Sequence, residues 1–116
     1  MGIGQEALIA DPVREVQARG KSWCATFEIS NDPSRWVQFT IDAINAGYPY
    51  AEEPNDRLRA LGVLAVLAWE PNKYASVTIS SDDAGAIAAW IDRYFADVLS
   101  CGGDYVLHVT LEDLDA

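Results

Sequence analysis

The sequence predicts one α+β domain, an antiparallel β-sheet of four to five strands with two or three helices packed on it. Several short segments alternate apolar and polar residues, which is typical of strands with one buried face. Two of these segments are joined by turn-forming residues, as in a hairpin. Other segments carry apolar residues at the spacing of an amphipathic helix. With 116 residues, half of them hydrophobic, the chain has the size of a single domain over residues 1–116.

The N-terminal region predicts one short helix. The first ten residues carry little pattern, and we expect them to be partly mobile. Asp11 followed by Pro12 is typical of a helix start, because aspartate caps the first turn and proline needs no amide hydrogen there. Gly20 would end this helix, which we place at residues 12–19. An extra edge strand over residues 13–17 is the alternative.

A β-hairpin is predicted next, from two alternating runs. In residues 23–30, Phe27 and Ile29 lie on the apolar face, and residues 36–44 alternate in the same way. Residues 31–35 separate the runs and contain asparagine, aspartate, proline and serine, which favour turns. Each run therefore has one face for the core, and its second face is either covered by helices as well or binds a partner.

The middle of the chain is compatible with two structures. Glycine and proline punctuate residues 45–56, which predicts a loop with a short third strand near residues 48–51. Residues 57–69 are apolar almost all round, and we interpret them as a helix buried on more than one side. A break at Gly62, followed by a strand over residues 63–69, is the alternative.

The C-terminal part predicts a strand, a helix and a last strand. Residues 74–80 alternate, and Asp82 and Asp83 then favour the start of a helix because carboxylates cap its first turn. That helix, residues 84–99, carries a clear apolar stripe. The last strand is expected over residues 105–112.

The charge and composition limit the classes of partner. Eighteen Asp and Glu residues against eight Lys and Arg give a net charge of −10, which repels nucleic-acid phosphates and anionic lipids. We therefore expect no nucleic acid and no membrane among the partners. The longest apolar run, residues 58–69, is too short to span a bilayer, and the N-terminus lacks a signal-peptide pattern. Two cysteines are too few for a disulfide framework, so a cytoplasmic location is expected.

The sequence contains no motif for catalysis, metal binding or nucleotide binding. His108 is the only histidine, and it lacks the HxxxH, CxxC or HExxH spacing of a metal site. Cys24 or Cys101 could act with it as nucleophile and base, but neither lies in a catalytic motif. We therefore expect an ordinary strand histidine, no cofactor, no metal and no catalytic residue.

Aromatic residues provide the candidate binding site. Trp36 and Gln38 lie on the face of their strand opposite the apolar one. Tyr48 and Tyr50 lie in a proline-containing loop, and Trp90 lies beside the apolar stripe of its helix. If these side chains are exposed together, they form a patch for a peptide or a second subunit. The alternative is that they enlarge a small core and its rim.

Three segments resemble one protein family. They are FEISNDPSRWVQF (residues 27–39), NDRLRALGVLAVLAWEPN (residues 55–72) and DAGAIAAWIDRYFADVL (residues 83–99). These are similar to the hairpin, the Leu-x-x-Leu-Gly helix with its Trp-x-Pro turn, and the last helix of TY-Chap proteins. That family belongs with YbjN-like proteins and class I type III secretion chaperones. The resemblance implies an α+β fold, usually dimeric, that holds an extended segment of a client protein without catalysis.

We therefore expect a chaperone-like module that binds a peptide or protein partner. A second copy of the chain is a candidate partner, which would make a homodimer. The alternative is an acidic immunity or antitoxin protein whose charge neutralises a basic partner. A small enzyme using His108 and a cysteine is the third hypothesis.

Overall fold

The computed structural model describes residues 2–30, 32–101 and 105–114. Three helices are formed there: α1 (Gly2–Arg19), α2 (Asn55–Arg59) and α3 (Ala84–Arg93), the last continued by a π-helical turn, Tyr94–Val98. The strands are β1 (Trp23–Ile29), β2 (Asp32–Thr40), β3 (Ile44–Gly47), β4 (Val63–Glu70), β5 (Tyr74–Ile79) and β6 (Leu107–Asp113).

The strands form one antiparallel sheet in the order β4-β5-β3-β2-β1-β6. The predicted α+β class is confirmed, with six strands where four to five were expected. Helices α1 and α3 pack against each other, and α1 also lies against β1 and β2. Both helices therefore cover the same face of the sheet. In the part of the chain that the structure describes, no helix lies on the opposite face.

The core lies between this helical layer and the sheet. Phe27 of β1 stands opposite Val37 of β2, and both side chains are fully buried. Tyr94 and Phe95, in the π-helical turn, are also fully buried. The apolar faces that the sequence assigned to the hairpin are therefore the faces covered by helices.

Helix α1 begins ten residues before the predicted start. Pro12 lies inside the helix, and Asp11 caps nothing there but accepts a hydrogen bond from Arg14 at 3.1 Å. Ile9, Val13 and Val16 are fully buried on one stripe of α1, and this stripe spans the proline. The helix over residues 12–19 is thus confirmed, whereas the predicted start and the alternative strand are wrong.

The hairpin exists, but its second strand is shifted. β2 begins at Asp32, so most of the predicted turn belongs to the strand, and Asn31 lies outside the described residues. A register irregularity between Glu28 and Ile29 accommodates the early start. β2 ends at Thr40, whose hydroxyl donates to the Ala43 carbonyl (2.8 Å) and accepts from the Ala43 amide (3.1 Å). This local turn is the reason why the strand stops there.

The middle of the chain differs most from the prediction. The third strand is Ile44–Gly47, directly after the turn, rather than near residues 48–51. The helical interpretation of residues 57–69 is wrong beyond Arg59, because α2 ends there and Gly62, with a φ of +81°, redirects the chain into β4. The alternative strand over residues 63–69 is the correct structure.

The C-terminal part agrees with the sequence except at its ends. The Asp83 side chain caps α3 by accepting from the Ala86 amide at 2.9 Å, and helical structure continues to Val98. The last strand begins at Leu107, because Tyr105 is buried instead against Phe95, with ring centroids 5.2 Å apart. None of the helices that the structure describes is long and apolar enough to cross a membrane.

Candidate functional site

The outermost strand, β4, exposes a row of apolar side chains. Two register irregularities interrupt its pairing with β5, one between Val63 and Ala65 and one between Val66 and Ala68. Each irregularity inserts an extra residue, so the side chains that face the core recur every third position instead of every second. Val63, Val66 and Trp69 pack on the core. The remaining apolar side chains turn outward.

We call these outward residues the β4 edge patch: Leu64, Ala65, Leu67 and Ala68, all exposed. Leu64 is 68% exposed and Leu67 is 57% exposed. β4 pairs with β5 and with no other strand among the described residues, so its second edge is not paired with a strand. An exposed, apolar edge strand is a surface on which another strand can add.

The charges around β4 lie at its two ends. Between Leu61 and Trp69 the chain has no charged residue. Arg59, at the end of α2, precedes this stretch, and Glu70 ends β4. Both side chains are exposed. The strand therefore has a basic residue before its start, an acidic residue at its end, and no charge between them.

The uncovered face of the sheet is polar, in contrast to the β4 edge patch. Four side chains in one cross-strand row form a hydrogen-bonded chain. Gln38 donates to the Thr26 hydroxyl at 3.2 Å, and Asn45 donates to the Gln38 carbonyl oxygen at 3.2 Å. The Ser76 hydroxyl donates to the Asn45 carbonyl oxygen at 2.5 Å. These side chains satisfy one another, so the face needs no covering layer.

The structure separates the five residues proposed from the sequence. Trp36 and Gln38 share the uncovered face, where both are half-buried. Tyr48 is buried, with its ring edge-on to Trp69 at 6.3 Å, and Trp90 is buried against Tyr94.

Tyr50 is half-buried, and its hydroxyl donates to the Val98 carbonyl at 2.7 Å. The five side chains therefore do not form one patch. Sequence reasoning missed Leu64 and Leu67, although the uninterrupted apolar run was their signal.

A cleft of about 420 Å³ opens at one end of the sheet, beneath the helical layer. We call it the end cleft. It lies between the turn after β2 and the segment before α3, and its lining comes from five elements and two connections. The apolar part consists of Phe39, Ile41, Ala43, Ile44, Val77, Ile79 and Ile87, and the polar part of Gln17, Thr40, Asp42, Thr78, Ser81 and Asp82.

A second cavity, of about 310 Å³, lies near the opposite end of β2 and β3. Arg35 and Lys73 line it, together with Asp32 and Tyr50. Asp32 pairs with Arg35 at 3.2 Å, and Lys73 has no ion pair among the described residues. Its mixed lining of charged, polar and apolar side chains indicates no particular ligand.

His108 and Cys24, two of the three side chains considered for catalysis, lie apart. His108 is exposed and stands opposite Glu28, whereas Cys24 stands opposite Glu112, roughly 13 Å further along the sheet. Burial raises the thiol pKa of both Cys24 and Cys101, which keeps each thiol protonated near neutral pH. Within residues 2–30, 32–101 and 105–114, no three His, Cys, Asp or Glu side chains converge on a common point.

Comparison with known protein families, with curated proteins and with solved structures finds no match to this chain. The likeness to TY-Chap and YbjN-like proteins therefore stays a hypothesis.

Proposed function

We propose that the protein is a non-catalytic, chaperone-like protein-binding module that works as a homodimer, with two copies joined along β4. The single observation that carries this proposal is the β4 edge patch. Monomeric proteins keep long apolar strands away from their sheet edges or interrupt them with charge, because such edges associate. This chain places its longest uncharged run at an edge.

The energetics favour covering this edge. Full burial of a leucine side chain contributes about 1.5–3 kcal/mol. Leu64 and Leu67 are each more than half exposed, so covering both contributes about 2–4 kcal/mol. Hydrogen bonds between the two strand backbones add to this contribution.

The charges at the two ends of β4 favour a second copy of the chain as the partner that pairs with this strand. Two copies related by a two-fold axis pair antiparallel along β4, which places the start of one strand beside the end of the other. Arg59 of each copy then approaches Glu70 of the other. A parallel arrangement would bring like charges together at both ends, so charge complementarity selects the antiparallel dimer.

The absence of catalysis is part of the proposal. It is supported by the distance between His108 and Cys24, and by the raised pKa of both thiols. A thiol enzyme needs a thiolate with a base in hydrogen-bond reach. The resemblance of three segments to secretion chaperones points to the same class of function.

The second candidate function is that of an acidic immunity or antitoxin protein that neutralises a basic partner, and the net charge of −10 favours it. Such a protein would bind one folded basic partner across an acidic surface, with an association rate that falls steeply with salt. Its interaction would not depend on Leu64 or Leu67.

The molar mass in solution tests the proposal. The chain mass is 12.7 kDa, so light scattering after size exclusion separates one copy from two. A dimer that is lost when Leu64 and Leu67 are both replaced by lysine supports pairing through β4. A monomer at every concentration tested would contradict it.

A further inference from the structure

The end cleft combines an apolar floor with an acidic rim. Phe39, Ile44 and Ile87 form the floor, and each is almost fully buried although the cleft beside it is open. Ile41 lies at the mouth and is 37% exposed. A volume of about 420 Å³ lies in the range of binding sites for small ligands and side chains.

The rim carries two carboxylates, Asp42 and Asp82. Asp42 lies 3.8 Å from Lys21, but both side chains are more than 70% exposed, and such pairs contribute little. The carboxylate of Asp82 has no hydrogen bond or ion pair within the described parts of the chain. Only its backbone carbonyl is used, as the acceptor for Gln17 at 2.7 Å. Both carboxylates can therefore pair with a ligand.

The helix cap does not account for both aspartates before α3. Asp83 caps the helix through its own side chain. Asp82, one residue earlier, is not needed for the cap and lies at the cleft instead. The acidic rim is therefore additional to what helix formation requires.

We propose that the end cleft binds a large apolar side chain of an extended client segment, next to a lysine or arginine that pairs with Asp42 or Asp82. This inference rests on the proposed function and names the chemistry of the client. The floor supplies apolar burial, and the rim selects a cation beside the apolar residue. The net charge of −10 attracts the same basic segments from a distance.

A labelled peptide series tests the inference by fluorescence anisotropy. The probe is a nine-residue Gly/Ser peptide with one central leucine between two lysines. One control peptide replaces the lysines by glutamates, and another replaces the leucine by serine. We expect the first peptide to bind, and each control to bind at least tenfold more weakly. Equal binding of either control would overturn the proposal.

Protein variants then locate the binding. Replacing Asp42 and Asp82 together by asparagine removes the rim charge, and Ala43→Leu fills part of the mouth. Both changes lie at half-buried or exposed positions, and thermal unfolding checks that each variant is folded. We expect at least tenfold weaker binding of the leucine–lysine peptide to either variant. Unchanged binding to both would overturn the proposal.

Peptide binding by the end cleft can be tested separately from dimerisation through β4. A variant with Leu64 and Leu67 replaced by lysine keeps the end cleft and is expected to bind the peptide with the same affinity per chain. Loss of peptide binding in this variant alone would place the client on β4, and the cleft proposal would fail while protein binding stands. A wild-type protein that neither dimerises nor binds the peptide would contradict both proposals.

Discussion

Trp36 lies across Gly47 on the uncovered face of the sheet. A β-carbon at position 47 would come within 3.1 Å of the Trp36 Nε1 and 2.9 Å of the Ser34 carbonyl oxygen. The indole is therefore held against the backbone of β3, in the space that a side chain at position 47 would occupy. Gly47 makes this close approach possible.

Gly47→Ala is expected to destabilise the protein by about 1–3 kcal/mol, because the backbone oxygen cannot move aside as a flexible side chain can. Chemical unfolding followed by circular dichroism measures the free energy of unfolding, because the chain has four tryptophans and its fluorescence does not report on Trp36 alone. Gly85→Ala is the matched control. Gly85 lies in the first turn of α3, where a β-carbon would come within 3.2 Å of the Asp83 carboxylate. This flexible side chain can shift by a few tenths of an ångström, so alanine is expected to change the stability by less than about 1 kcal/mol. A loss of stability that is equal in both variants would refute the packing argument.

The hydrogen-bonded row of polar side chains on the uncovered face predicts that substitutions within it have coupled effects on stability. Asn45 bonds to both Gln38 and Ser76, so Asn45→Ala breaks two hydrogen bonds. Each contributes about 0.5–1.5 kcal/mol. Ser76→Ala in the Asn45→Ala background should then cost less than in the wild type, by about 0.5 kcal/mol or more. A double-mutant cycle by urea unfolding measures this difference, and additive effects would show that the row is not coupled.

The raised thiol pKa values predict slow modification. Cys24, which is fully buried, should react with a disulfide reagent at neutral pH only as the protein unfolds, whereas half-buried Cys101 should react earlier. Because the folded protein holds the thiol protons more tightly than the unfolded chain, the free energy of unfolding should fall as pH rises above about 8.5. Cys101→Ser, as the control, should remove only the earlier phase. Rapid labelling of Cys24 at pH 7 would contradict this account.

The β4 edge patch predicts a specific effect of charge. Leu64→Lys or Leu67→Lys should weaken self-association at least tenfold, because a charge at the interface must be desolvated. Stability of the single chain should change little, since both side chains are exposed. Val106→Lys is the matched control, as Val106 is 71% exposed and lies outside β4. Sedimentation velocity over a concentration series compares the three variants, and an equal effect of all three would contradict a β4 interface.

The sequence predicted the fold class because its alternation and helix spacing are local properties. The hairpin partners, the Asp83 cap and the stripe of α3 all follow from neighbouring residues. The start of α1 does not. An interior proline costs about 3 kcal/mol or more in a helix, and the burial of Ile9, Val13 and Val16 against α3 offsets this cost. That compensation is tertiary, so no local rule could find it.

The candidate site was predictable only in part. The apolar run before Glu70 is visible in the sequence. Its period of three is not, because it arises from two irregularities in the pairing of β4 with β5. Its position at the sheet edge depends on the order of all six strands. Tyr48 and Trp90 were proposed for a surface because they lie near loops or beside a stripe. In the structure the short β3 and the packing of α3 bury them.

The molar mass of the wild-type chain tests the central claim most directly. Light scattering after size exclusion, at loading concentrations from micromolar to millimolar, reports how many copies associate. Antiparallel pairing through β4 predicts a shift from 12.7 kDa towards twice this value as concentration rises, and no further growth, because the pairing occupies the edge of β4 that has no strand partner among the described residues of each copy. A constant 12.7 kDa over the whole range would contradict it.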